Sequence, residues 1–427
     1  MKESFSRRST LKTTAAAGLT VGLSTLVAHA APSKKIKVAL VGCGGRGKSD
    51  LKSFKSACRI LKLDVEVVAL ADAFEDAVKN AGNQFKVPAK QCHFGFDAYH
   101  KVAQSDADFV LLITPPLFRP LHLETMLKAG KNVFIEKPCA VDAPGCRKVI
   151  ELGELAKEKG LGISAGMQRR HSAGYQRNKT LIEKGAIGEI LGGVVTWNGR
   201  VPWIKERKSG WSDADYLARN WLNWVELSGD HICEQHVHNL DVANWFIGHP
   251  PVSAVGFGGR ARRETGNQFD FFSVDLDYGD NVHIHSQCRQ ISGCYNRVGE
   301  ELRGAKGVVY GGGKLKGDPA ITAAKPQLDT NNESVQEMVD MIRGVRSGTP
   351  LNETENVGIA TATAVMARIA AYTGQMVRWS DLMQNKNSKW YAYTSGILAE
   401  DFETGNIKLP PENVAATPGD GKPIRRR

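Results

Sequence analysis

Gly42-Cys43-Gly44-Gly45-Arg46-Gly47 follows at once on the short apolar run 36–41 and precedes a helical stretch. This is G-x-G-x-x-G between strand and helix. In that setting Gly42 permits the tight turn, Gly44 lets backbone approach a pyrophosphate, and Gly47 lets helix pack on strand. A second β-branched run, 65–71, ends in Asp72, at the distance where a carboxylate meets the adenosine ribose hydroxyls. Such a carboxylate repels a 2′-phosphate, so Asp72 favours NAD; capping the helix that starts near Glu75 is its alternative role. Further along, Thr114-Pro115-Pro116 and Glu136-Lys137-Pro138 each close a short apolar run, and Ser228 to Asp241 carries His231, Glu234, His236 and His238. An amine and imidazoles beside a dinucleotide are what alcohol oxidation needs, because hydride leaves a secondary alcohol only as the hydroxyl proton departs.

The elements that must position these groups alternate. A helix over 75–85, a strand over 108–113, a helix over 120–129, a strand over 132–135, a helix over 144–159 and a strand over 162–165 predict a doubly wound α/β sheet. Ligands bind such sheets in the crevice outside the strand tips, which is where Thr114 and Lys137 fall. The expected cofactor set is therefore Gly42, Gly44, Gly45, Arg46, Gly47, Asp72, Thr114, Pro115, Glu136 and Lys137, to which resemblance to a known family adds His122. A helix over 175–184 and a strand over 191–197 follow, and runs 271–278 and 282–287 alternate around Gly279-Asp280-Asn281 as an antiparallel hairpin. The second half should be α+β with a largely antiparallel open sheet. Expected boundaries are a signal over 1–30, a Rossmann domain over 35–165, a substrate domain over 166–400 and a tail over 401–427.

The glycine motif, the Pro115-Pro116 turn with His122 in the next helix, and Glu136-Lys137-Pro138 resemble the Gfo/Idh/MocA oxidoreductase family over about residues 35 to 380. The resemblance implies that Lys137 is the catalytic or substrate-binding lysine. Ser228 to Asp241 is similar to that family's G-G-G-x-x-x-D-x-G-x-H-x-x-D, which places Glu234 on its active-site Asp and His238 on its catalytic His, one helical turn apart. Three departures stand out: Asp230 for Gly, Glu234 for Asp, and His236 for a Gly near the substrate. They imply a reshaped site, in which Asp241 caps or braces. Arg169, Tyr175, His236, Trp203 and Trp211 are the expected substrate contacts, the two indoles as loop residues able to stack on a pyranose. His231, Glu234, His236 and His238 could also group around a metal, but no H-E-x-x-H or facial-triad spacing is present, and no metal is expected. The outer face of the open sheet is commonly an oligomer contact in this family, which implies a homo-oligomer.

The 427 residues, 42% hydrophobic and 24% charged, are ordinary for a globular chain of two domains. Eight cysteines at 43, 58, 92, 139, 146, 233, 288 and 294 are too irregular for a disulfide scaffold and form no C-x-x-C pair. The net charge of +11 is scattered among acids, apart from Lys422-Pro423-Ile424-Arg425-Arg426-Arg427 in a Pro/Gly-rich tail that reads as disordered. A solvated basic surface is expected, not nucleic-acid binding. Ser6-Arg7-Arg8-Ser9-Thr10-Leu11-Lys12, a weakly apolar run and Ala28-His29-Ala30 read as a twin-arginine signal with its cleavage site. The expected place is the periplasm or another exported compartment, with no stable membrane anchor after processing.

These expectations combine into an NAD-dependent oxidoreductase of a carbohydrate or cyclitol, with Lys137 and His238 around the reacting hydroxyl and Glu234 orienting the imidazole. Outside the cytoplasm no free NAD pool is evident, so the cofactor should stay bound and be recycled. A glycoside hydrolase or epimerase acting by transient oxidation is the first alternative. A non-catalytic sugar- or NAD-binding protein is the second.

Overall fold

The structure, a computed structural model, describes residues 35–419. The twin-arginine segment and the basic end 422–427 lie outside them.

Six strands, β1 (Lys35–Val41), β2 (Asp64–Asp72), β3 (Cys92–Phe94), β4 (Phe109–Leu112), β5 (Asn132–Ile135) and β6 (Ile163–Ala165), form a parallel sheet in the order β3-β2-β1-β4-β5-β6. Alternate residues serve opposite faces. Val38, Leu40, Leu111 and Phe134 meet Leu51 and Phe54 of the helix Gly45–Ile60, while Ala39, Val41, Leu112 and Ile135 meet Leu123, Met126 and Val149 on the other side. Strands buried on both faces read as continuous apolar runs, as β4 (Phe-Val-Leu-Leu) does. The order reverses between β1 and β4, which opens the crevice at their carboxyl ends.

The second sheet holds β7 (Ile190–Gly199), β8 (Ser253–Gly259), β9 (Phe271–Asp277), β10 (His283–Gln290), β11 (Arg297–Gly304), β12 (Gly307–Tyr310), β13 (Leu315–Lys316) and β14 (Val377–Arg378). Its order is β13-β12-β11-β7-β10-β9-β8-β14, antiparallel throughout except for β7 with β10. Asp280 and Asn281, both at positive φ, turn the β9–β10 hairpin. The helix Thr354–Thr373 is apolar nearly all round, and its buried side chains join the core beneath this sheet to the core of the first.

The expected boundaries at 165 and 400 are crossed by returning chain. The helix Glu333–Arg346 packs Met338, Val339 and Ile342 into the core beneath β1 and β4. Leu351 and Glu353 hydrogen-bond to Ile163 of β6. The 401–427 segment is not all tail, because Phe402 of the helix Ala399–Thr404 is buried among Phe96 and Phe118. Contacts over such sequence distances leave no local period.

His171 fastens this return. Its Nδ1 lies 2.7 Å from Asp340 and its Nε2 3.3 Å from Glu353, whose other oxygen accepts from Ser164 and the Ala165 amide. Burial alone lowers the imidazole pKa, but the hydrogen bonds to Asp340 and Glu353 outweigh it and raise the value to about 10. The unfolded value is about 6.5. Stability from the imidazolium is therefore complete below about pH 6.5 and is lost as pH rises toward 10. Urea midpoints measured between pH 6 and 10 should fall in the native protein and stay flatter in His171→Gln; parallel curves would contradict this.

Candidate active site

The glycine loop is tight on one side and open on the other. Gly42 has φ +99°, and a Cβ there would sit 2.7 Å from the Ile113 carbonyl; one at Gly47 would sit 1.8 Å from the Gly42 oxygen. At Gly44 and Gly45 a Cβ meets nothing within 4 Å, because these residues border a cavity of about 500 Å³. The cavity runs past Asp72, Thr114, Pro115 and His122. No side chain caps the helix Gly45–Ile60, so its first N–H groups are available to an anion. Room, an uncapped helix start and a carboxylate at the tip of β2 fit a dinucleotide.

Asp72 also braces the loop. Its carboxylate accepts from the Cys43 amide at 2.7 Å and the Phe74 amide at 3.0 Å, while burial, its largest influence, raises its pKa. His122 is buried, lies 3.3 Å from Thr114 Oγ1 and stacks on Tyr99; burial lowers its pKa to about 3 and keeps it neutral. Arg46 borders the cleft but turns its guanidinium inward, 2.6 Å from Glu136 and 3.0 Å from Asp50. The second Glu136 oxygen accepts from the Lys137 amide at 2.8 Å. Arg46 and Glu136, expected as cofactor contacts, thus join the glycine loop to the lysine.

Lys137 Nζ crosses to the second half. It donates to the Glu234 carbonyl at 2.6 Å and lies 3.2 Å from Glu234 Oε1, both side chains being mostly buried. This corrects two expectations. Glu234 engages the lysine rather than orienting the imidazole, and it shares no helix with His238, because His231–Glu234 and Val237–Ile247 are separate helices broken at Gln235 and His236. His238 is buried; that burial, followed by the nearby charges of Lys137, Arg169 and Arg46, pushes its pKa well down. The imidazole beside the ammonium is neutral.

Asp230 stands at φ +70°, a conformation suited to the Gly the motif usually carries. Its carboxylate accepts from the His231 amide and ring, the Phe269 amide and Tyr372; burial would raise its pKa, but the His231 bond and charge, the Arg263 charge and the Tyr372 bond outweigh it and hold it below the usual range. Asp241 is a brace, bidentate with Arg170. His236 is corrected as a substrate contact: it is fully buried, its Nε2 lies 2.9 Å from Ser286 Oγ, and burial lowers its pKa to about 3. Among the described residues no group of three or more metal-ligating side chains converges.

Arg169 and Tyr175 meet on Glu300, which also accepts from Asn239 at 2.7 Å. The indoles expected to stack on sugar sit elsewhere: Trp203 borders the dinucleotide cavity, 6.2 Å from Trp221, and Trp211 packs near Arg219. The aromatic beside His238 is Trp197, with its ring centroid 5.9 Å from that imidazole and also 5.9 Å from the Arg169 guanidinium. Its inward place on β7 was the available signal. Arg119, fully buried with its guanidinium on the Pro138 carbonyl, and Glu300 left none.

Two family models match the chain: an oxidoreductase family with an NAD-binding Rossmann fold over residues 36–167, and the GFO/IDH/MocA C-terminal domain over 175–310. Together they cover more than half of it. An inositol 2-dehydrogenase of Rhizobium meliloti is 27% identical over 280 residues, 64% of this chain and 74% of the relative. A 2,7-anhydro-N-acetylneuraminate hydratase of Escherichia coli is 29% identical over 183 residues, 42% of this chain and 44% of the relative. The chain thus spans under half the length of some curated relatives it matches. An aldose-aldose oxidoreductase from Caulobacter crescentus, solved with glycerol, shares the fold with a TM-score of 0.61 and 18% identity, covering 81% of this chain and 99% of that one. With both halves matched in order, the chain belongs to the Gfo/Idh/MocA oxidoreductase family.

Proposed function

We propose that this protein is an NAD-dependent oxidoreductase of a secondary hydroxyl on a carbohydrate or cyclitol. The observation that carries the reading is Lys137, held at the end of β5 by Glu234 from the other half, near a buried neutral His238 and joined through Glu136 to Arg46 of the dinucleotide cleft. NAD, when bound, supplies the acceptor for the carbon-bound hydride. Lys137 Nζ passes a proton to Glu234 Oε1 and takes the hydroxyl proton in its place. His238 hydrogen-bonds the same oxygen without adding charge, and Trp197 with Arg169 bounds the sugar side.

The bound cofactor is recycled and turnover is redox neutral. Two features support this: the twin-arginine sequence, which sends the protein to the periplasm, and the walled cavity that borders the glycine loop. The hydratase among the relatives supports the alternative reading, transient oxidation that activates a neighbouring carbon for elimination or cleavage. Val255 and Phe257, exposed on β8 opposite buried Ala254, support a homo-oligomer formed through the open sheet.

Lys137→Ala should keep NAD binding, read by fluorescence titration, while kcat falls by about 10²-fold or more. Near-native kcat would refute the assignment. Asp72→Ser should narrow the preference for NAD over NADP in paired Kd measurements, and an unchanged ratio would remove Asp72 from that role.

A further inference from the structure

One wall of the dinucleotide cavity does not come from the Rossmann half. Trp203, Lys205, Ala218, Arg219 and Trp221, all from the segment between β7 and the His231–Glu234 helix, face the glycine loop and Asp72 across it. We propose that this segment is a clasp on the cofactor, closed by Arg219 on Asp76, and that it keeps the dinucleotide bound from one turnover to the next. The inference rests on the NAD reading above and adds how that cofactor is retained.

The closure is a two-pronged ion pair. Arg219 Nη2 lies 2.8 Å from Asp76 Oδ1 and Nη1 lies 3.2 Å from Oδ2, while the guanidinium carbon stands 3.7 Å from the centre of the Phe74 ring. Phe74 and Asp76 lie two and four residues beyond Asp72, at the adenosine end of the cleft. The planar fork of arginine suits a carboxylate and an aromatic face at once, which a lysine could not match. Lys205, stacked against Trp203, puts a second cation on the wall opposite the glycine loop, where a pyrophosphate would lie.

An exposed ion pair is weak alone, so the clasp needs backing. The helix Asp213–Arg219 starts in a capping box between Ser212 and Asp215. The C-terminal strap holds it from behind, with Glu412 accepting from Tyr216 at 2.8 Å and the Leu409 amide reaching Asp213 at 3.3 Å. The same strap is anchored on the Rossmann half, where Phe402 lies between Phe96 and Phe118 and Glu403 accepts from Tyr99 at 2.7 Å. Lifting the wall therefore requires Arg219 to leave Asp76 while the strap holds both sides together.

The test uses the full-length protein and isotopically labelled NAD. Native protein should emerge from gel filtration with close to one NAD per chain, measured by mass spectrometry after denaturation, and should exchange it more slowly than it turns over. Arg219→Ala should exchange faster by about tenfold or more, since changes at one interface act mainly on dissociation. The exchanged pair Asp76→Arg with Arg219→Asp should recover slow exchange, a rescue that general loosening of the fold would not give. Asp76→Asn, on an exposed side chain, replaces Arg219→Ala if the latter fails to fold. Native exchange in the variants, or native protein that releases NAD each cycle, overturns the clasp and leaves hydride transfer standing. Native protein that binds no NAD overturns both.

Discussion

The structure turns on one ammonium held between two halves of a chain. Lys137 issues from the end of β5 and meets a carboxylate and a carbonyl of Glu234, which belongs to the short helix His231–Glu234 beneath the second sheet. Removing two charges from water costs more than their attraction commonly returns, so such a pair contributes little to stability. What it fixes is direction. Lys137 has one neighbour on each side that cannot drift: Glu136, pinned by Arg46 of the glycine loop, and Glu234, pinned by the turn at Asp230. The nucleotide loop and the substrate motif are thereby referred to the same nitrogen.

The electrostatics of the crevice follow from that placement. Lys137, Arg169 and Arg46 all act on His238, and in a buried setting their fields are poorly screened. An imidazolium there would be a fourth cation without a counterion. Burial first, and those charges after it, keep the histidine neutral, and the acids of the site are spoken for: Glu136 by Arg46, Glu300 by Arg169, Asp241 by Arg170. The proposed proton path is therefore through the lysine and its own carboxylate.

Much of this was legible in the sequence wherever one strand or helix carried the signal. The helix Glu75–Phe85 and the strand Asn132–Ile135 fall where period and apolar runs put them, and the topology of a doubly wound sheet then sets Lys137 at the crevice. What failed needed long-range contact. Glu234 and His238 are four apart and look like one helical face, yet the helix that starts after Asp230, a residue at positive φ whose carboxylate accepts from Tyr372 far along the chain, ends before His236. Trp203 and Trp211 sit in a loop rich in charge, the setting expected of a sugar platform, but Trp203 lines the nucleotide side instead. The helix Glu333–Arg346 shows an amphipathic period without saying which core it serves.

The central claim is that Lys137 and Glu234 manage the proton while hydride moves within one closed site. The direct measurement is a single turnover with sub-stoichiometric substrate and no added NAD, followed by reduced-nicotinamide absorbance in stopped flow. The account predicts that absorbance rises and then decays, that substrate deuterated at the oxidised carbon slows the rise, and that Lys137→Ala shows no rise despite a full complement of NAD. A Lys137→Ala trace that overlays the native one, or a native trace with no isotope effect and no absorbance change, would contradict it.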